Sequence, residues 1–354
     1  MKPNTLKPGD KVAIVSLSSG ILGESFVAHE VEIGVKRLKE YGLEPVFMKY
    51  STKGIKYIAK HPKQRAKDLK QAFYDKDIKG IICAIGGTET YKIAPYLFED
   101  KKFVKYVKEN PKLFTGYSDS TINHLMLNRL GLNTFYGPNF LTDICELDSE
   151  MLPYTKMWFE TYLGKKQKQI TSSDVWYYEG RDYTPAGIGV PRKQEDEKYG
   201  FETLQGKGKK KGRLFGGCLD SLHDLAFGIT ERQEICKKYN LLPTQEQLKD
   251  AILFLETSDE KITPDVFEKM LRDFDGINFF DNISGIIVGK PVDNEYYVEY
   301  KQALVKVLGD KKTPILFNVN FGHSFPKCVI PYNILCEVDY TNKTIKFLED
   351  LFND

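Results

Sequence analysis

Hydrophobic and polar positions along the first 165 residues form a repeating pattern that predicts strands separated by helices. Short apolar runs typical of buried strands occupy residues 11–17, 45–48, 80–85 and 113–117. The segments at 24–41, 62–74, 91–97 and 121–130 read as helices, and Pro62 suits the first turn of one of them. The alternation predicts a doubly wound parallel sheet, an α/β fold with helices on both faces.

The chain after residue 212 continues with strands and helices in a less regular order. Strand-like runs lie at 212–215, 251–256, 284–288, 314–319, 334–338 and 344–348, and helical patterns lie at 219–227, 264–275 and 295–308. Lysine, glutamine, glycine and proline interrupt the pattern between the two parts. We therefore predict an N-terminal α/β domain over 1–165, a linker over 166–211 and a smaller, mixed C-terminal α/β domain over 212–354.

Charge patterning excludes one class of partner. The 354 residues contain 51 basic and 49 acidic side chains, and the resulting net charge of +2 is too small to indicate nucleic-acid binding. The one dense basic run, 207–213, is interleaved with glycine and lacks aromatic neighbours, so we predict a solvated loop there. We expect no nucleic-acid partner.

Cysteine spacing and hydropathy bear on metal binding, disulfide formation and membrane association. The six cysteines form no Cys-x-x-Cys pair and have no histidine cluster nearby, which predicts neither a zinc site nor a disulfide framework. The N-terminal residues contain no apolar signal core, and no segment reaches the length of a membrane span. We expect a soluble cytoplasmic protein with no membrane partner and no bound metal.

The segment Gly116-Tyr117-Ser118-Asp119-Ser120 connects a predicted strand to a predicted helix. A serine on such a tight turn extends its hydroxyl away from the backbone, and the N-terminus of the helix can stabilise negative charge beside it. Ser118 is therefore a candidate nucleophile. A serine at this position can also simply cap the helix.

A serine nucleophile needs a base, and histidine is the usual one because its pKa lies near neutrality. Of the five histidines, His29 and His124 fall on the polar faces of predicted helices, His223 falls within an apolar stripe, and His61 precedes a helix start. His323 follows a predicted buried strand, in a loop with glycine before it and proline after it. Such loops commonly hold catalytic groups, so His323 is the candidate base.

The third member of such a site is a carboxylate that orients the imidazole and stabilises its charged form. Glu256 ends the apolar run 251–255 and is the first candidate. Asp259 and Glu260 lie further from the strand and are predicted to be more solvated, and they stay open as alternatives.

Gly86-Gly87-Thr88 follows the buried run 81–85, at the same predicted sheet edge as Ser118. Glycine permits close approach of backbone to a ligand, and a developing oxyanion needs amide donors. The amides of Gly87 and Asp119 are therefore candidates for an oxyanion hole, and Gly86 and Thr88 are candidates for substrate contacts. The Gly-Gly pair fits neither a dinucleotide fingerprint nor a phosphate loop.

These features together resemble the LD-carboxypeptidase family of serine peptidases, which includes the microcin C immunity proteins. The segments that carry the resemblance are, in chain order, Leu6-Lys7-Pro8-Gly9-Asp10, Arg65-Ala66-Lys67-Asp68-Leu69, Gly86-Gly87, Gly116-Tyr117-Ser118-Asp119, Gly212-Arg213-Leu214-Phe215-Gly216-Gly217, Leu253-Phe254-Leu255-Glu256 and Phe321-Gly322-His323. Cys218 and Ser324 depart from the asparagine and threonine that are common among relatives. Both departures keep the side chain small.

The resemblance implies a Ser-His-Glu triad of Ser118, His323 and Glu256 in a groove between two domains, no cofactor, and a cytoplasmic homodimer. It implies hydrolysis of an amide bond near the C-terminal end of a murein tetrapeptide or of a microcin C-type aminoacyl nucleotide. The segment around Trp176 resembles the immunity branch, in which an aromatic side chain can stack on the nucleobase, so Trp176 is a candidate substrate contact. It can also simply pack at a domain interface.

Two other functions stay open at this point. Two α/β lobes around a cleft also suit a non-catalytic cytosolic protein that closes on a ligand. An α/β-hydrolase esterase shares the order serine, acid, histidine, but its usual Gly-x-Ser-x-Gly motif is not met, because Ser120 occupies the fifth position.

Overall fold

The computed structural model describes residues 1–353, and a mostly parallel sheet forms its N-terminal part. The strands of this first sheet are β1 (Lys11–Val15), β2 (Glu44–Phe47), β3 (Ile78–Cys83), β4 (Leu113–Gly116), β5 (Phe135–Tyr136) and, from far along the chain, β14 (Ile330–Pro331). Their order is β14-β5-β4-β3-β1-β2, with β1 to β5 parallel and β14 antiparallel. In a doubly wound sheet of this order, ligands bind beyond the carboxyl ends of the strands.

Helices connect the strands of the first sheet. They are α1 (Ala28–Glu40), α2 (Ile55–Lys60), α3 (Pro62–Tyr74), α4 (Ala94–Phe98), α5 (Lys101–Glu109), α6 (Ser120–Arg129) and α7 (Pro153–Phe159). The helix α3 has the predicted bounds, because Pro62 starts it and Ala66, Leu69 and Phe73 are buried on one face. The predicted doubly wound α/β arrangement is confirmed.

A second, mixed sheet forms the C-terminal part. Its strands are β6 (Gln169–Ile170), β9 (Glu202–Gln205), β10 (Lys209–Cys218), β11 (Ile252–Glu256), β12 (Gly285–Gly289), β13 (Ile315–Val319), β15 (Leu335–Asp339) and β16 (Thr344–Phe347). The central strands β10 to β13 are parallel, while β6, β16 and β15 on one side and β9 on the other are antiparallel. The strands β7 (Val175–Tyr177) and β8 (Gln194–Asp196) form a separate antiparallel pair.

The helices of this second part are α8 (Leu219–Phe227), α9 (Thr230–Tyr239), α10 (Gln245–Leu248), α11 (Pro264–Asp275) and α12 (Tyr297–Leu308). The bounds of α8 and α11 match the prediction. The helix α9 was missed because Cys236 is its only buried residue, so the sequence shows no apolar stripe there.

Residues 166–211, predicted as a linker, contain four strands, of which β6 and β9 extend the second sheet. The predicted loop over the basic run 207–213 is wrong, because β10 begins at Lys209. Lys209 and Lys211 are exposed on this strand and pair with Glu337 of β15. Cross-strand charge pairs of this kind stabilise a solvated strand.

Buried apolar side chains from both sheets form a continuous core. All six cysteines are buried as free thiols. Within residues 1–353, none of the helices combines the length and the apolar character needed to span a membrane.

Candidate active site

Ser118 lies on the turn between β4 and α6. Its backbone φ is 65°, in the left-handed region that residues with a side chain rarely adopt. Gly116 at the end of β4 lets this strand approach β3, since a Cβ there would lie 2.8 Å from the Cβ of Cys83. Strained backbone that is held by its surroundings is common at functional sites.

The Ser118 hydroxyl lines an open cavity and has no hydrogen-bond partner within residues 1–353. Gly86 lies beside it, and a Cβ at Gly86 would lie 2.6 Å from Ser118 Oγ. The close approach of the two backbones therefore requires glycine at position 86. The hydroxyl is left free to meet a ligand.

Glu256 is the last residue of β11, and His323 lies in the loop after β13. The Nδ1 atom of His323 lies 2.8 Å from Glu256 Oε2 and 3.1 Å from Oε1, and the His323 amide donates to Oε2 at 3.1 Å. Gly322 has a φ of 83°, and a Cβ there would lie 2.3 Å from the Glu256 Cδ. The imidazole and the carboxylate can lie within hydrogen-bond distance because residue 322 has no side chain.

The His323–Glu256 pair is buried, with 6% and 1% of the two side chains exposed. Burial alone would lower the pKa of His323, but the Glu256 carboxylate, with smaller contributions from Asp259 and Asp220, outweighs burial and leaves the pKa above its ordinary value. Of the two alternatives, Asp259 Oδ1 lies 3.7 Å from His323 Nε2 with 58% of its side chain exposed, and Glu260 is exposed. The structure therefore pairs the imidazole most closely with Glu256.

Tyr136 connects the serine turn with this pair and was not singled out by the sequence. Its hydroxyl donates to Glu256 Oε1 at 2.5 Å and accepts from the Ser118 amide at 3.1 Å. Burial, followed by the charge of Glu256, raises the pKa of Tyr136 well above its ordinary value, so the hydroxyl keeps its proton. One hydroxyl thus bonds to a backbone group of the first sheet and to a carboxylate of the second.

The amides of Gly87 and Asp119 donate to no acceptor within residues 1–353. Gly87 has a φ of 140°, and a Cβ there would lie 2.5 Å from Ser18 Oγ. The buried Asp119 carboxylate accepts from Ser18 Oγ at 2.5 Å and from the Thr90 amide at 2.9 Å. Burial raises the pKa of Asp119 to about 6, despite these hydrogen bonds. The carboxylate thus holds the loop that carries Gly87.

Residues from both sheets line one cavity of about 510 Å³. It contains Gly86, Gly87, Thr88, Ser118 and Asp119 on one side and Cys218, Asp220, Asp224, Arg232, Asp259 and His323 on the other. A volume of this size suits a small-molecule ligand. The candidate nucleophile, base and amide donors therefore share one cavity.

Trp176 lies outside this cavity. It is buried on β7, with Lys290 Nζ 5.2 Å from its ring centroid and Tyr178 packed at 4.6 Å. It lines a different cavity of about 250 Å³, beside Glu197 and Tyr297. The structure does not bring Trp176 to Ser118, and its contact with a substrate stays a prediction.

The prediction that His124 lies on a polar helix face is wrong. The helix α6 packs against both β5 and β10, so no side of it faces solvent at this point, and His124 is fully buried. Its Nε2 lies 2.8 Å from the Gly116 carbonyl oxygen and its Nδ1 lies 2.7 Å from Thr134 Oγ1. Burial lowers the pKa of His124 to about 3, so the ring is neutral and supports the end of β4.

Cys218 adds a thiol next to the buried pair. The ligand atoms of Cys218, Glu256 and His323 all lie within 4.8 Å of one another, and these are side-chain types that can bind a metal ion. Burial, followed by the charges of Glu256 and Asp220, raises the pKa of the thiol well above its ordinary value. The thiol is therefore protonated at neutral pH.

Comparisons with known proteins agree with this architecture. The chain matches the LD-carboxypeptidase N-terminal domain over residues 12–137 and the LD-carboxypeptidase C-terminal domain over residues 211–338. It is 28% identical to the microcin C7 self-immunity protein MccF of Escherichia coli, over 89% of this chain and 87% of the relative. It is 26% identical to the probable murein peptide carboxypeptidase of Bacillus subtilis, over 97% of this chain and 93% of the relative.

A solved structure is more similar still. The MccF-like protein from Streptococcus pneumoniae, in complex with AMP, is 44% identical to this chain and superposes with a TM-score of 0.92. The match covers 96% of this chain and 98% of that protein.

Proposed function

Because this chain belongs to the LD-carboxypeptidase family, we propose that it is a serine carboxypeptidase that hydrolyses an amide bond near the C-terminal end of a small peptide-like substrate. One observation carries the proposal. The His323 imidazole is paired with the buried Glu256 carboxylate on the wall of the cavity that also contains the Ser118 hydroxyl. Serine, histidine and acid in such a cavity are the parts of an acyl-transfer site.

The proposed reaction begins when Nε2 of His323 takes the proton of Ser118, whose Oγ attacks the amide carbonyl. Glu256 holds Nδ1 and stabilises the imidazolium that forms. The free amides of Gly87 and Asp119 bind the oxyanion of the tetrahedral intermediate. His323 then protonates the leaving amine, and a water molecule repeats the cycle to release the acyl group.

The substrate class in this proposal has two members. The relative in Bacillus subtilis is named a murein peptide carboxypeptidase, and the relative in Streptococcus pneumoniae was solved with AMP. A murein tetrapeptide and a microcin C-type aminoacyl nucleotide both present an amide to the serine. We expect the enzyme to work without a cofactor, as a cytoplasmic homodimer, and light scattering on the purified protein measures the oligomer.

The test compares hydrolysis of a murein tetrapeptide and of an aminoacyl sulfamoyl adenosine by the wild type and by Ser118→Ala. We expect the variant to lose several orders of magnitude in kcat on whichever compound is cleaved, and to lose labelling by a serine-directed phosphonate. Ser149→Ala, at an exposed serine that does not line the cavity, is the matched control. Near-normal hydrolysis by Ser118→Ala would remove Ser118 from the mechanism, and binding without turnover would favour a ligand-binding protein.

A further inference from the structure

Arg232 is the single lysine or arginine among the described residues that line the cavity containing Ser118 and His323. It lies in the first turn of α9, and the other charged side chains of the wall, apart from His323, are acidic. A lone cation in an otherwise acidic cavity gives an anionic substrate group one place to bind.

The guanidinium of Arg232 is held between the two halves of the molecule. Its Nη1 pairs with Asp224 of α8, and its Nη2 donates to the Thr88 carbonyl oxygen at 2.8 Å. Its Cζ lies 5.1 Å from the ring centroid of Tyr91. Thr88 directly follows Gly87, so Arg232 is anchored next to one of the proposed oxyanion donors.

The hydrogen bonds of Arg232 are incomplete. Its Nε is buried and has no partner within residues 1–353. Arg232 has five N–H donors, and the bonds to Asp224 and Thr88 account for two of them. Asp224 has 50% of its side chain exposed, so water screens its carboxylate and the charge of Arg232 is only partly neutralised. A partly buried guanidinium with donors to spare, in the wall of a cavity, is suited to a ligand with several acceptor oxygens.

We propose that Arg232 binds the anionic group on the leaving side of the scissile amide, an assignment that rests on the proposed function. In a murein tetrapeptide this group is the terminal carboxylate, two bonds from the leaving nitrogen. In an aminoacyl nucleotide analogue it is the sulfamoyl group bonded to that nitrogen. Both present oxygens to which a guanidinium can donate two hydrogen bonds.

This assignment gives a physical reason for cleavage at the chain end. An anion held by Arg232 places the preceding amide next to Gly87, because the Thr88 carbonyl connects the two. A peptide that continues past this point has no anion at the same distance from the amide and leaves the guanidinium unpaired. Leaving such a group unpaired disfavours the wrong substrate.

The experiment uses two pairs of compounds that differ in the anion. The first pair is the murein tetrapeptide and its C-terminal amide, and the second is an aminoacyl sulfamoyl adenosine and the neutral 5′-aminoacylamino-5′-deoxyadenosine. Values of kcat/KM are measured for the wild type, Arg232→Gln, Arg232→Lys and Arg129→Gln. Arg129 donates to Gln247 at 3.3 Å and does not line the cavity, so it is the matched control.

We expect the wild type and Arg129→Gln to prefer the anionic member of the cleaved pair by about 10- to 100-fold, the size of a charged hydrogen bond. Arg232→Gln should lower kcat/KM only for the anionic compound and so bring this ratio to about 1. Arg232→Lys should keep part of the preference for the anionic compound. The pair that shows the preference identifies the source of the anion. Equal rates with both members in the wild type, or an equal loss on both members in Arg232→Gln, would overturn the proposal.

Binding measurements separate this proposal from the proposed function. If the wild type cleaves none of the four compounds, the proposed function fails. The role of Arg232 is then still tested by calorimetry, which measures the binding of the compounds to Ser118→Ala. Tighter binding of the anionic member, lost when Arg232→Gln is added, supports the assignment. Equal binding of both members, or no binding of either, overturns it.

Discussion

Replacing Glu256 by glutamine removes the charge that lies 2.8 Å from His323 Nδ1 and keeps the size of the side chain. The carboxylate holds the pKa of His323 above its ordinary value against the opposite effect of burial, so the variant must lower that pKa. A hydrogen bond between charged groups contributes about 1.5–3 kcal/mol. Losing this bond therefore destabilises the imidazolium relative to the neutral ring by about that amount.

The sign of the effect on activity follows from the role of the base. In the proposed mechanism the unprotonated imidazole accepts the serine proton, so wild-type kcat/KM should rise as the pH increases through the pKa of His323. In Glu256→Gln this rise should occur at a lower pH. The maximal kcat should fall by about 10⁴-fold, because an amide neither fixes the Nδ1–H tautomer nor stabilises the imidazolium.

The assay is kcat/KM for amide hydrolysis from about pH 5 to about pH 10, with circular dichroism to check the fold. Asp259→Asn is the matched control, because this carboxylate lies 3.7 Å from Nε2 but 58% of it is exposed. Water screens such a charge, so the control should retain most of the activity and shift the profile much less. An unchanged profile in Glu256→Gln, or a larger loss in Asp259→Asn, would refute the role assigned to Glu256.

Three further substitutions test other contacts of the site and its surroundings. Tyr136→Phe leaves the Ser118 amide without its acceptor, so kcat should fall about 10-fold with little change in melting temperature. A wild-type kcat in steady-state kinetics would contradict the role assigned to the Tyr136 hydroxyl. Gly86→Ala places a Cβ 2.6 Å from Ser118 Oγ, so it should lower kcat/KM about 100-fold and slow the labelling of Ser118 by a phosphonate. Equal labelling rates for the variant and the wild type would exclude the clash. Lys327→Met leaves the buried Asp143 carboxylate without the ammonium group that lies 2.6 Å from it. The free energy of unfolding, measured by urea titration, should therefore fall by about 3–5 kcal/mol. Unchanged stability would show that the pair is dispensable.

Long, patterned elements were predictable from sequence, and short or polar ones were not. The bounds of α8 and α11 follow from their apolar spacing, helped in α11 by a proline in the first turn. The strands β5 and β14 contain two residues each, too few to show an alternating pattern, and only backbone pairing defines them.

The same distinction applies to the candidate site. Ser118, Glu256 and His323 each end or follow an apolar run, and this position made them visible in the sequence. Tyr136 and Arg232 carry no such signal, since one lies in a two-residue strand and the other in a polar helix. Their importance arises only when the two sheets come together, which no local pattern encodes.

The strand β14 has a consequence for biosynthesis. Because Ile330–Pro331 pairs with Phe135–Tyr136, the edge of the first sheet stays unpaired until residues 330 and 331 have been translated. The proposed base, His323, is translated only shortly before these two residues. In the proposed mechanism, a nascent chain that ends before residue 323 therefore contains the serine without its base, and its unpaired sheet edge favours aggregation.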